Sequence, residues 1–258
     1  MSIDTHLDDA LTRVETERQQ VEQKLTAFER FTSTVQGVEP ARQPGSQMVA
    51  DGGSNAMAAT QHSPRDRCDR VRGAFAETVY EAANDDLSLA ETMSEELCEA
   101  VALALARGTT HGFTPTVKRT IITATEQRQA ELGALRTALR REAESLQSAG
   151  TEVEEMTAWL TDADETPLLE LGFEQLRARH EQLSRYRDRC EELTSQRQAV
   201  LEKTTSKGAA AGVDHRAVVD YLYQEFPISH PVLSTATSLD EVCADCQATV
   251  RDHLTRRV

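Results

Sequence analysis

Two thiols three residues apart, Cys243 and Cys246 in CADC, come nearest to a chemical motif in this chain. On a helix, positions i and i+3 share a face, so the pair can bridge or offer two ligands to a soft metal. Zinc needs four ligands, yet there is no second CxxC, and His215, His230 and His253 show no ligand spacing. Both cysteines also fall on an apolar helical face with Leu239, Val242, Val250 and Leu254. Core packing is therefore the stronger expectation, and a metal or redox sensor the alternative. A second constellation is the arginine stripe Arg177, Arg179, Arg185, Arg187 and Arg189, with His180 and Tyr186 among them. In a basic chain it would point to a nucleic-acid-associated regulator. Here Glu174, Glu181, Asp188, Glu191 and Glu192 interleave, which favours a salt-bridged helix face, turned toward Glu15, Glu17, Glu22 and Glu29. His111 stands alone in a turn-rich connector, GTTHGFTP, without the convergent groups that catalysis requires. Phosphate-binding Gly loops, nucleophile elbows and HExxH zinc motifs are missing from the sequence. The expectation is no catalytic, cofactor-binding or metal residue, no cofactor and no enzymatic activity.

The elements that would position these residues are helices. From Thr166 to Leu201 the sequence reads as one amphipathic helix, with Leu169, Leu176, Leu183 and Cys190 every seven residues and Tyr186, Leu193 and Val200 three residues on. Thr166 is the expected N-cap and Pro167 the first helical residue. Residues 4–37 carry a second heptad pattern. One row is Leu7, Val14, Val21, Phe28 and Val35, the other Leu11, Arg18, Leu25 and Thr32. Between them lie a helix after Ser63-Pro64, with Cys68, Val71, Phe75 and Val79 on one face, and a helix opened by the capping box Ser88–Glu91. The latter is expected to be deeply buried over Ala100–Ala106. A helix capped by Thr114 runs to about Ser148, Gly150 ends it, and Thr151–Glu154 opens a short helix with Met156 and Trp159. Asp214 caps a helix reaching Phe226, and Ser238–Glu241 opens the last one. Period-2 alternation is nowhere sustained, so no sheet is expected.

The residues outside the helices are poor in large apolar side chains. Gly37 to Ser63 holds Pro40, Pro44, Gly45, Gly52 and Gly53, and such a stretch cannot offset its ordering entropy by burial. The domain expectation is an N-terminal coiled-coil helix (1–37), a disordered linker (38–63) and a helical bundle (64–258).

Charge narrows the setting. The 258 residues carry 28 Lys and Arg against 43 Asp and Glu, a formal charge of −15, and Lys occurs only at 24, 118, 203 and 207. That balance repels phosphate backbones, and it suits a cytoplasm of molar salt, where charges are screened within about 3 Å. The opening MSIDTHLDDAL has neither the basic nor the apolar region of a signal peptide. Apolar runs fall far short of the ~20 residues a membrane helix needs. Five cysteines, single at 68, 98 and 190 with one close pair at 243 and 246, do not read as a secreted disulfide framework.

The opening helix, the break after it, RVRGAFAETVYE (70–81), RCEELTSQRQAVL (189–201) and the ending DYLYQEFP…HPVL (220–233) together resemble a haloarchaeal family of unknown function. Its members are sometimes labelled transducer-like for their coiled coils. The resemblance implies a halophilic archaeal cytoplasm and supplies no activity and no catalytic residues. The fold expected is all-α: an elongated helical bundle with a long antiparallel coiled-coil hairpin (115–149 with 166–203) and shorter packed helices. The function expected is a non-enzymatic interaction, scaffold or regulatory protein in the cytoplasm. It would meet an unknown protein partner through helical surfaces, with no nucleic acid, no direct membrane insertion, and homo-oligomerisation left open.

Overall fold

The computed structural model describes residues 5–41, 64–83, 86–107, 112–202, 204–205 and 213–256. Among them are eight helices: α1 (Leu7–Gly37), α2 (64–83, with a π-helical turn at Ala76–Tyr80), α3 (Leu89–Glu96), α4 (Glu99–Ala104), α5 (Pro115–Glu165), α6 (Phe173–Leu201), α7 (His215–Leu222) and α8 (Pro231–Thr255). The fold is all-α. The expected absence of sheet needs one correction: Thr204–Thr205 (β1) pairs antiparallel with Val213–Asp214 (β2), in register Thr204↔Asp214. The linker expected over 38–63 lies outside the described residues from 42 onward, as do His111, Gly108 and the Ser63 cap. The described helices include none long and apolar enough to cross a membrane.

The chain divides into two compact units, 1–18 with 134–258, and 19–133. The second unit is built on Val21, Phe28, Phe31 and Val35 of α1, Val71, Phe75 and Val79 of α2, Met93 of α3, Val101 of α4 and Ile121 of α5, all buried. Phe31 and Phe75 meet edge to face, 5.4 Å between centroids. The Leu7–Val35 row is buried throughout as expected, but its companion row is displaced by one position. Ala10, Glu17 and Phe31 are buried, while Arg18 is exposed and pairs with Glu15 at 2.7 Å. A phenylalanine offers far more apolar area than Thr32, and its burial turns the helix. The Ser88 box forms, with Ser88 N–H donating to Glu91 Oε2 at 2.9 Å and Glu91 N–H to Ser88 Oγ at 3.4 Å. The single helix expected after it is broken at Leu97–Cys98, and of Ala100–Ala106, expected to be deeply buried, Val101 and Leu105 are buried while Leu103 is 62% exposed. Glu96, buried, receives Lys24 Nζ and Arg128 Nε, each at 2.8 Å. Burial raises its carboxyl, but these bonds outweigh burial and hold it below the ordinary range.

The first unit holds the remaining helices. Its hairpin pairs the C-terminal part of α5 with α6, antiparallel. Arg197 meets Glu142, Arg189 meets Glu152, and Tyr186 meets Trp159. α6 also packs along α8. Five expected boundaries are wrong here. Gly150 does not end a helix: α5 runs unbroken for 51 residues, Pro115–Glu165. Thr151 is no cap, since its hydroxyl donates back to the Gln147 carbonyl at 3.1 Å. Burial of Ala149, Val153 and Met156 overrides the weak local stop signal. α6 starts at Phe173, not Thr166, because Pro167–Leu171 forms a turn and Gln175 Oε1 accepts from Gly172 N–H at 2.9 Å. α8 starts at Pro231, so Ser238 lies inside it, and α7 stops at Leu222, short of Phe226.

A Cβ at Gly150 would meet nothing within 4 Å. Gly150→Ala should therefore stabilise the protein by about 0.5–1 kcal/mol in urea unfolding, because alanine loses less backbone entropy in a helix interior. A loss of stability would mean that α5 ends there.

Candidate functional site

The structure separates the two motif cysteines. Cys243 is wholly buried on α8, and burial, reinforced by Cys190, pushes its thiol up to about 12. Cys190 on α6 is likewise raised by burial, to about 11. Cys246 is half-buried, its thiol raised by burial and then by Asp164 and Asp245. Thiolates are the reactive and metal-binding form, and burial disfavours that form at all three cysteines. Among the described residues no three His, Cys, Asp or Glu are grouped to hold a metal. Cys243→Ser should lower stability by about 1–2 kcal/mol in urea unfolding, since a hydroxyl would be buried among apolar groups.

The arginine stripe is divided among partners other than those expected on α1. Arg177 pairs with Glu174 (3.1 Å) and Glu181 (3.5 Å), Arg187 with Asp240 (2.9 Å) and Arg189 with Glu152 (2.8 Å). Arg179 donates to the Thr166 carbonyl at 3.3 Å. On α1, Glu15 pairs with Arg18 and Glu17 with Arg13.

A polar cluster not anticipated from the sequence lies inside the first unit. Glu142 on α5 is fully buried, as are Arg197 on α6 (1% exposed), His215 on α7 (1%) and Tyr223 just beyond it (1%). Arg197 binds Glu142 with two parallel bonds of 2.8 Å, His215 Nε2 donates at 3.0 Å, and Tyr223 O–H donates at 2.7 Å. A carboxylate only accepts, so His215 Nε2 carries the proton. Burial alone would raise the Glu142 carboxyl; the bonds from His215, Arg197 and Tyr223 win and lower it to about 2. The same burial and the Glu142 charge raise the Tyr223 phenol. With its acceptor positions filled and solvent excluded, Glu142 ties α5, α6 and the α7 end together. The heptad row Leu176–Leu183–Cys190 continues to Arg197, and the buried α5 row Ala149–Met156 begins one heptad earlier at Glu142. A charge falling in each apolar row was the available signal.

The surface feature lies where α5 turns into α6. Glu170 N–H donates to the Pro167 carbonyl at 3.0 Å, closing a turn that leaves Leu169 76% exposed and Phe173 46% exposed. Beside it a half-open cleft of about 360 Å³ is walled by Trp159, Leu160, Leu168, Leu183, Val242 and Val250 and edged by Asp164, Arg179 and Asp245. Trp159 stands edge to face with Tyr186, 5.3 Å between centroids, which fixes its ring at the cleft wall. Leu169 was expected in the helical seam. The turn through Pro167 puts it outside any helix.

Residues 5–247 match the family described as a domain of unknown function, DUF7260. The chain belongs to that family. No curated protein and no solved structure matches it. The DUF7260 match spans both compact units, and so covers both the buried Glu142 cluster and the apolar turn.

Proposed function

We propose that this DUF7260 protein is a non-enzymatic interaction protein that docks a protein partner on the turn between α5 and α6. The observation that carries this is the exposure of Leu169 (76%) and Phe173 (46%) beside an apolar cleft. Single exposed apolar residues are ordinary, whereas an apolar pair next to an apolar concavity marks an interaction site. The buried groups support the same reading from the other side. Glu142 has its acceptor positions filled, the Cys243 thiol is held far above neutral pH, and most of the arginine stripe is spent on carboxylates, leaving structural roles for each. The acidic, lysine-poor composition supports a haloarchaeal cytoplasm as the setting, with α1 acting as a coiled-coil-like strut.

The test is affinity capture in molar KCl from the source cells, comparing wild type with Leu169→Ser/Phe173→Ser. Both side chains are exposed, so melting temperature should stay within a few degrees. The variant should lose at least tenfold in affinity for the captured partner, as expected when apolar anchors are removed from an interface. An identical set of proteins on both baits would sink the proposal.

A further inference from the structure

The turn and its cleft carry an inference about the partner's chemistry, one that rests on the docking reading above. Three observations define it. The cleft, at about 360 Å³, is at the small end of the range for ligand sites, the size for an anchoring side chain more than for a large cofactor. Leu168 lines the cleft, and Leu169 and Phe173, which follow it along the turn and into α6, are exposed, so a partner seated in the cleft can extend onto them. The charges around it are unbalanced. Asp162, Asp164, Glu165, Glu170 and Asp245 are exposed, and none of them has an ion-pair partner among the described residues. Of the cations there, Arg177 is held by Glu174 and Glu181, while Arg179, which donates to the Thr166 carbonyl, and the exposed Arg251 keep their charge, so the five carboxylates still outnumber them.

We infer that the partner presents a basic amphipathic helix, its apolar face across Leu169 and Phe173, one large apolar side chain in the Trp159 cleft, and Lys or Arg toward the surrounding carboxylates. A helix laying its apolar stripe on such a surface is a recurrent mode of recognition, and opposite charges around it set orientation and exclude wrong partners. In molar salt only charges at contact distance count, and a second copy of this chain would set the same unpaired carboxylates directly against one another.

Trp159 is the chain's single tryptophan and lines the cleft, so its fluorescence reads occupancy directly. The probe is a Lys/Leu amphipathic peptide of about 18 residues without Trp or Tyr, the length of five helical turns. Controls are a scrambled peptide of the same composition and a Glu/Leu counterpart. Titrations use the full chain at the lowest KCl concentration that keeps it folded. The Lys/Leu peptide should shift Trp159 emission saturably and bind at least tenfold tighter than either control. Leu169→Ser/Phe173→Ser, which keeps every carboxylate, should weaken it at least tenfold. Equal binding of the Glu/Leu peptide overturns the inference. So does equal binding by the variant, which would show bulk charge attraction only. If capture yields a turn-dependent partner whose docking segment is acidic, docking stands and this inference falls. If capture yields no turn-dependent partner, docking itself falls.

Discussion

Replacing Glu142 by Ala should cost about 3–5 kcal/mol, the scale for breaking a buried ion pair and leaving its partner's charge uncompensated. That is a large share of the ~5–15 kcal/mol that holds a typical domain together. Arg197, 1% exposed, would lose both of its 2.8 Å bonds to the carboxylate, while His215 Nε2 and the Tyr223 hydroxyl would each lose their acceptor. Glu142→Gln keeps the shape and one acceptor oxygen and should cost less. Replacing Glu142 and Arg197 together by Met should recover much of the alanine loss, because an apolar pair of similar volume removes the desolvation penalty along with the attraction. The cluster also sets an acid limit. A folded-state value of about 2 against the ordinary 4.5 means that the charged form is favoured by folding. The stabilisation is complete above the ordinary value and disappears as pH falls through about 2, and the gap is worth about 3 kcal/mol. The melting temperatures of wild type and Glu142→Gln should therefore be far apart at pH 6 and converge toward pH 2. Parallel curves would show that Glu142 carries no differential charge stabilisation.

Dialysis from molar KCl into dilute buffer should melt the protein or lower its melting temperature by tens of degrees. A formal charge of −15 is spread along nearly every helix. In 0.01 M salt the Debye length is about 30 Å, so most carboxylates repel one another, whereas in molar salt they are screened within about 3 Å. Apolar burial opposing that repulsion is modest, with aromatics at 4% of residues. Acidification to about pH 5 in dilute buffer removes part of the surplus charge. Glu142, held to about 2, keeps its bonds at that pH, so helical circular dichroism should partly return. An equal melting temperature in both buffers would contradict the assignment of this composition to a salt-rich cytoplasm.

Sequence patterning carried the fold where spacing and burial agree. The Leu7–Val35 row, the Cys68–Val79 face, the Ser88 box and the Asp214 cap all form as read, because each depends on neighbours within a turn or two. It failed where distant packing decides. Gly150 looked like a helix end, but its flanks Ala149 and Val153 are buried and the helix runs through. Thr166-Pro167 looked like a helix start, but Gly172 and Gln175 start it instead, and that six-residue difference places Leu169 in solvent. The buried cluster was hidden for another reason. Glu142 and Arg197 sit in seam positions that a hydrophobic count passes over, and nothing local pairs residues 55 apart in the chain. The cysteines drew attention by spacing, although one faces the core and the other the cleft.

The docking claim is tested most directly by photo-crosslinking in the source cells. A crosslinking residue replaces Phe173 in one strain and Arg185, exposed farther along the same helix, in another. Position 173 should give one dominant adduct with a different protein, and position 185 should give none. No adduct at 173, or an adduct only with a second copy of this chain, would contradict the account.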